Sequence, residues 1–92
     1  MRLDTRPLTF EGKTLRLNAD IAPGGRIRVA VQDPSGRTVA PYTLAGCKPV
    51  TGDMLEAKVS WAGRRIIRHK PGERLRLVFE LKKAKLYSFW IE

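Results

Sequence analysis

The chain ends in the stretch that decides its fold, RLRLVFELKKAKLYSFWI, which runs from Arg74 to Ile91. Apolar and charged residues alternate in it up to Leu81, and this two-residue period is typical of a half-buried β-strand. Lys82–Lys85 interrupts the alternation, which resumes at Leu86. We therefore predict a terminal hairpin, whose apolar pairs across the two strands are Phe79–Tyr87, Leu77–Phe89 and Leu75–Ile91.

Shorter alternating runs precede this stretch, at residues 5–10, 14–19, 26–32, 38–44 and 54–61. Turn signals separate them about every 8–12 residues, among them the turn Asp33–Gly36, which is typical of an all-β domain. We expect an antiparallel β-sandwich, jelly-roll or Ig-like, of about seven strands with no long helix. The apolar phase of the runs predicts the core Leu15, Leu17, Ile27, Val29, Val31, Leu55, Val59, Trp61, Leu75, Leu77, Phe79, Tyr87, Phe89 and Ile91.

Length and composition are those of a small globular domain. The 92 residues are 42% hydrophobic and carry a net charge of +9, so we expect one domain over 1–92 that buries roughly 60–65% of its unfolded surface. No apolar run approaches the ~18 residues of a membrane span, and we expect no membrane partner. Met1–Thr5 has no hydrophobic segment of a signal peptide.

Short motifs spread over nearly the whole chain resemble one family. They are Thr5–Pro7, Phe10–Gly12, Leu15–Asn18, Gly25–Val29, Asp33–Gly36, Cys47–Asp53, Val59–Trp61, Arg74–Leu77 and Ala84–Phe89. Together they are similar to the C-terminal β-sandwich accessory module of bacterial secreted, glycoside-hydrolase-like proteins with family-32-like and family-43-like five-bladed propeller domains.

This resemblance implies a non-catalytic accessory module cut from a longer secreted or periplasmic protein. Its first partner would be the catalytic domain of that parent, and a polysaccharide would be the second. The module carries no catalytic residue in such proteins. Two features depart from the family pattern: Trp90 stands at a position where a polar residue is expected, and residues 64–70 are unusually basic.

The residues themselves favour no catalytic, cofactor or metal site. His69 is the one histidine and Cys47 the one cysteine, so zinc has no ligand set, and Cys47 is interpreted as a buried structural thiol. Asp20, Asp33 and Asp53 occur at turns, where aspartate bonds to the local backbone. We expect a protein that is not an enzyme.

Trp90 is the strongest candidate for binding, because it follows the outward phase of its strand. In the predicted hairpin Arg76 lies opposite Trp90, and Leu86 and Val78 extend an outward patch that would dock on a neighbouring domain, contact sugar or pack under a loop. An autonomous carbohydrate-binding module centred on Trp90 is one alternative function. The other, less favoured alternative is a basic nucleic-acid-binding domain, since no nucleic-acid motif occurs. It would use Arg64, Arg65, Arg68 and Lys70, with Lys82, Lys83 and Lys85 on another loop.

Overall fold

The computed structural model describes residues 2–9, 12–52, 54–61, 67 and 72–92. It has four strands: β1 (Arg2–Asp4), β2 (Leu15–Gln32), β3 (Met54–Lys58) and β4 (Arg76–Ile91). They form one antiparallel sheet in the order β1-β4-β2-β3. The described residues contain no helix, and therefore none that could cross a membrane. The prediction of an antiparallel all-β fold is confirmed.

The long ladder between β2 and β4 replaces the predicted terminal hairpin. It runs from the pair Leu15–Ile91 to the pair Gln32–Arg76, so Phe79 faces Val29 and the Phe79–Tyr87 pairing is wrong. The reason is that β2 offers β4 apolar residues on the matching side in both halves of the ladder, and this pairing buries the apolar sides of both strands. Lys82–Lys85 therefore continues the strand instead of turning.

A bend divides this two-stranded ribbon into halves. Between the pairs Ile21–Ala84 and Arg26–Lys82 the register shifts, because β2 has four intervening residues and β4 has only Lys83. Gly24 (φ 79°) and Lys83 (φ 48°) adopt left-handed conformations there. Such a bulge bends a strand sharply, so the predicted strands 14–19 and 26–32, which Pro23-Gly24-Gly25 separates, belong to one bent strand.

The bend folds the sheet over a single core. Phe79 and Phe89 would be about 33 Å apart along a straight strand, yet their ring centroids are 5.1 Å apart. The two halves of the ribbon thus bring their inward sides together around one hydrophobic cluster. This folded sheet has four strands, and the predicted sandwich of about seven strands is not supported.

Several predicted strands are reduced to isolated bridges, which explains the lower strand count. Leu8 pairs with Leu75, Thr38 with Gln32, and Cys47 with Trp61, each as an isolated bridge. The turn Asp33–Gly36 is confirmed: the Gly36 N–H donates to the Asp33 carbonyl at 3.0 Å. Asp33 Oδ1 accepts hydrogen bonds from Ser35 and from the Arg37 N–H, and the Ser35 hydroxyl is the main reason that the pKa of Asp33 is lowered.

Most of the predicted core is buried. Ten predicted residues are at most 3% exposed, namely Leu15, Leu17, Ile27, Val29, Val31, Val59, Trp61, Leu75, Leu77 and Phe79. The Trp61 indole N–H donates to the Val29 carbonyl at 2.7 Å, and its ring meets the ring of Tyr42 edge-on at 5.2 Å. Phe89 and Ile91 are partly buried against this cluster, and the side chain of Leu55 lies outside the described residues.

Tyr87 is the core prediction that is wrong, since it is 62% exposed. Ser88 pairs with Asn18 and Leu86 pairs with Ala19, so Tyr87 is an extra residue in β4 with no residue opposite it. A one-residue bulge of this kind shifts the inward phase of the strand. Leu86 consequently faces the core, while Tyr87 turns to solvent.

Candidate functional site

Trp90 is held beside two charged residues at one end of the ribbon. It lies opposite Arg16 of β2, and Arg16 in turn lies opposite Lys58 of β3. The indole N–H of Trp90 donates to Glu92 Oε1 at 3.2 Å, and Arg16 Nε lies 3.0 Å from Glu92 Oε2. The carboxylate of Glu92 therefore contacts both the indole and the guanidinium.

Further polar groups lie on the same side of the sheet. Asn18 and Ser88 face each other one row from the Trp90–Arg16 pair, and Asn18 alternates with the buried residues Leu17 and Ala19. We call this outward surface the Trp90 face; its members are Arg16, Asn18, Ser88, Trp90 and Glu92. It combines a half-buried aromatic ring with an amide, a hydroxyl, a guanidinium and a carboxylate, so it offers both hydrogen-bond donors and acceptors beside an apolar plane.

The structure separates the predicted binding residues from one another. Arg76 lies opposite Gln32 in the other half of β4, so the prediction that it lies across from Trp90 is wrong, and Arg16 occupies that place. Leu86 packs against the core and Val78 is buried, so the predicted outward patch with Trp90 does not form. The cause is the pairing of β4 with β2 in place of a hairpin. Arg64 and Arg65 lie outside the described residues, as does His69.

A second outward surface lies on the other half of the ribbon and on β1. We call it the arginine face; cross-strand pairing defines its members as Arg2, Asp4, Arg26, Arg28, Ala30, Gln32, Arg76, Val78, Glu80 and Lys82. It carries five cationic and two acidic side chains. Because the inward sides of the two halves meet around the core, the Trp90 face and the arginine face point in opposite directions.

Both carboxylates of the arginine face are paired. Arg28 donates to Glu80 Oε1 from Nε at 3.1 Å and from Nη2 at 2.6 Å, and these hydrogen bonds are the main reason that the pKa of Glu80 is lowered. Arg2 donates to both carboxylate oxygens of Asp4, at 2.9 and 3.3 Å. The sequence analysis missed this surface as a unit. Its signal was the arginine-rich polar phase of residues 26–32 and 74–76, which becomes one face only when those strands pair.

Cys47 is a buried thiol, as predicted. The Val29 N–H donates to its sulfur at 3.3 Å, and the thiol donates to the Lys48 carbonyl at 3.5 Å. Burial raises the pKa of Cys47, which disfavours the thiolate that a nucleophile would need. Within the described ranges, no three of the His, Cys, Asp and Glu side chains come together as metal ligands.

A shallow groove of about 630 Å³ lies beside the bend of β2. Residues 21–26 line it together with Pro49, Thr51 and Gly52, and Arg26 is the charged residue among them. The other described residues that line it are small or apolar, and none of them is one of the two carboxylic residues that hydrolysis of a glycosidic bond requires.

Comparisons of this chain with known protein families, with curated proteins and with solved structures find no match. The Trp90 face and the arginine face are therefore characterised by the geometry of this chain alone.

Proposed function

We propose that this chain is a non-catalytic accessory module of a larger glycosidase-like protein, secreted or periplasmic, and that it contacts carbohydrate through the Trp90 face. The observation that carries the proposal is the cluster in which Glu92 holds both the Trp90 indole and the Arg16 guanidinium. A ring that is already held in place loses little side-chain freedom when a ligand binds. This lower entropic cost favours the binding of a ligand that makes only weak contacts, such as a sugar.

The chemistry of the Trp90 face supports a neutral sugar as its ligand. A pyranose presents a C–H face that packs on an indole ring and a rim of hydroxyl groups that both donate and accept hydrogen bonds. Asn18 and Ser88 supply neutral partners for such hydroxyl groups one row from the ring. The guanidinium of Arg16 is already paired with Glu92, so this cluster has little net charge to attract an anion.

A binding titration against neutral soluble glucan, xylan, mannan and fructan tests this function. We expect wild-type protein to bind at least one of them, with an affinity that changes little with salt. Trp90→Ala should weaken that binding at least about tenfold, which corresponds to about 1.4 kcal/mol. Circular dichroism checks that the variant is folded.

The control is Tyr87→Ala, which removes an aromatic ring from the same strand that is 62% exposed and has no residue opposite it in β2. It should retain the wild-type affinity for the neutral polysaccharide. Equal losses in the two variants would contradict the assignment to Trp90. A lack of binding to every neutral polysaccharide would overturn carbohydrate contact and favour packing of the Trp90 face against the catalytic domain of the parent protein.

A further inference from the structure

The arginine face carries positive charge that the described residues do not neutralise. Asp4 and Glu80 pair with Arg2 and Arg28, whereas Arg26, Arg76 and Lys82 have no ion pair within the described part of the chain. The Nε atoms of Arg26 and Arg76 are also shielded from solvent and have no hydrogen-bond partner there. A shielded donor without an acceptor is costly, and the unpaired charge of the two guanidinium groups attracts an arriving anion.

The unpaired charges are spread along the ribbon. Arg26 and Lys82 form the row next to the bend, Arg28 and Glu80 form the next row, and Arg76 with Gln32 forms the row at the far end. Rows on one face repeat about every 6.7 Å, so the two terminal rows are about 20 Å apart. A small anion can occupy only one of these ends, whereas a polymer with repeated anionic groups can reach both.

The floor between the two ends is apolar and lacks aromatic rings. Ala30 and Val78 point outward but are only 2% and 1% exposed. The rows on either side of them carry the long side chains of Arg28 and Arg76, whose aliphatic stems can pack over apolar surface. Single-stranded nucleic acid is bound by aromatic rings on which bases stack, and this face has none among its described members.

We propose that the arginine face binds an acidic polysaccharide, with the carboxylates of separate uronic acid units along one polymer paired to Arg26 and Arg76. Guanidinium groups bind carboxylates through two parallel hydrogen bonds, which a hydrated lysine does not reproduce. The choice of a polysaccharide rests on the proposed function. The site itself is separate, because it lies on the opposite side of the molecule from Trp90.

The test is the binding of polygalacturonate to the whole chain at low and at moderate salt. We expect wild-type protein to bind and the affinity to fall as salt rises. The double variant Arg26→Gln/Arg76→Gln should bind at least about tenfold more weakly. The matched control Lys13→Gln/Lys48→Gln removes the same charge from exposed positions outside the face. If specific pairing dominates, its affinity for polygalacturonate should fall by less than about twofold.

Glu80→Gln provides a variant that gains affinity. It removes the carboxylate that pairs with Arg28 in the second row from the bend. Arg28 can then pair with a carboxylate of the ligand, so the affinity for polygalacturonate should rise about threefold or more. A purely structural role of Glu80 would give no gain. An unchanged or lower affinity in a folded Glu80→Gln protein would contradict the proposed face.

Three further outcomes would overturn the proposal. Equal losses in the Arg26/Arg76 and Lys13/Lys48 double variants would indicate non-specific attraction to a basic protein. Tighter binding of a single-stranded DNA oligonucleotide with the same dependence on Arg26 and Arg76 would assign the face to nucleic acid. Failure of polygalacturonate to bind at low salt would exclude uronate recognition. Neutral polysaccharide binding and its loss in Trp90→Ala report separately on the proposed function.

Discussion

At the centre of the arginine face, one carboxylate determines how much positive charge the surface presents. Glu80 Oε1 accepts two hydrogen bonds from the Arg28 guanidinium, and its pKa is lowered by these bonds and by the positive charge of Arg28 and Arg26. A carboxyl whose pKa falls on folding stabilises the folded state in its ionised form. The Arg28–Glu80 pair therefore makes the stability of this protein depend on pH.

Glu80→Gln should lower the melting temperature at neutral pH. It should also reduce the amount by which the melting temperature falls at acidic pH. The stabilisation by Glu80 is complete above the usual glutamate pKa of about 4.3 and is lost as the pH falls through the lower pKa of the folded state. The melting temperatures of wild type and variant should thus converge as the medium becomes more acidic. Thermal unfolding followed by circular dichroism over a pH series measures this.

Arg28→Gln is the control for this residue-level effect, because it removes the other half of the same pair. It should flatten the acid limb of the pH profile as Glu80→Gln does. Asp33, whose pKa is also lowered, titrates in all three proteins and accounts for remaining acid sensitivity. A Glu80→Gln profile parallel to that of the wild type would contradict the assignment.

At the scale of the strand, the bend of β2 and β4 depends on a close approach between their backbones. A Cβ atom placed on Gly25 would lie 2.6 Å from the carbonyl oxygens of both Lys82 and Lys83. Neither oxygen is at the end of a flexible side chain, so the backbone itself would have to move. Gly24, one residue earlier, has open space around it but a left-handed φ of 79°.

Gly25→Ala should destabilise the protein more than Gly24→Ala does. Overpacking against a backbone costs about 1–3 kcal/mol, whereas the left-handed conformation of an alanine at position 24 costs about 1–2 kcal/mol. Urea unfolding followed by tryptophan fluorescence gives both free energies of unfolding. A larger loss for Gly24→Ala would show that the conformation of the bulge, and not the contact with β4, maintains the bend.

At the scale of the whole molecule, the fold depends on contacts between the two halves of the same strand. Phe79 and Phe89 meet with ring centroids 5.1 Å apart and an interplanar angle of 43°. Both residues belong to β4 and lie far apart along it. Their rings can meet only because the ribbon is bent. This contact is therefore a direct report on the folding of the sheet over its core.

A double-mutant cycle between Phe79→Leu and Phe89→Leu should give a coupling energy of about 0.5–1.5 kcal/mol. The control cycle pairs Phe79→Leu with Tyr87→Leu. In the folded ribbon these two residues are independent and their effects should add to within about 0.5 kcal/mol. In a terminal hairpin Phe79 would instead couple to Tyr87, so the two cycles together distinguish the two arrangements by chemical denaturation.

The sequence alone predicted the class of fold and most of its core. Alternation at Leu15, Leu17 and Ile27 determines which side of the strand is buried, and that property is local because successive side chains point to opposite faces. The local hydrogen bonds of the Asp33–Gly36 turn were predictable for the same reason. The outward orientation of Trp90 also followed from strand phase, which is why one member of the candidate site could be found before the fold was known.

Only the tertiary structure decided which strands pair, and hence which outward residues become neighbours. The run 75–91 can pair with itself or with β2 in compatible apolar phases, and the choice depends on burial summed over the whole ladder. The same pairing places Arg16 and Glu92 beside Trp90, and assembles Arg26, Arg28 and Arg76 into one face. Bulges at Tyr87 and at Gly24 change which residues of the strand face the core. The two-residue period of a single strand does not predict such bulges, because they depend on the residues opposite in the partner strand.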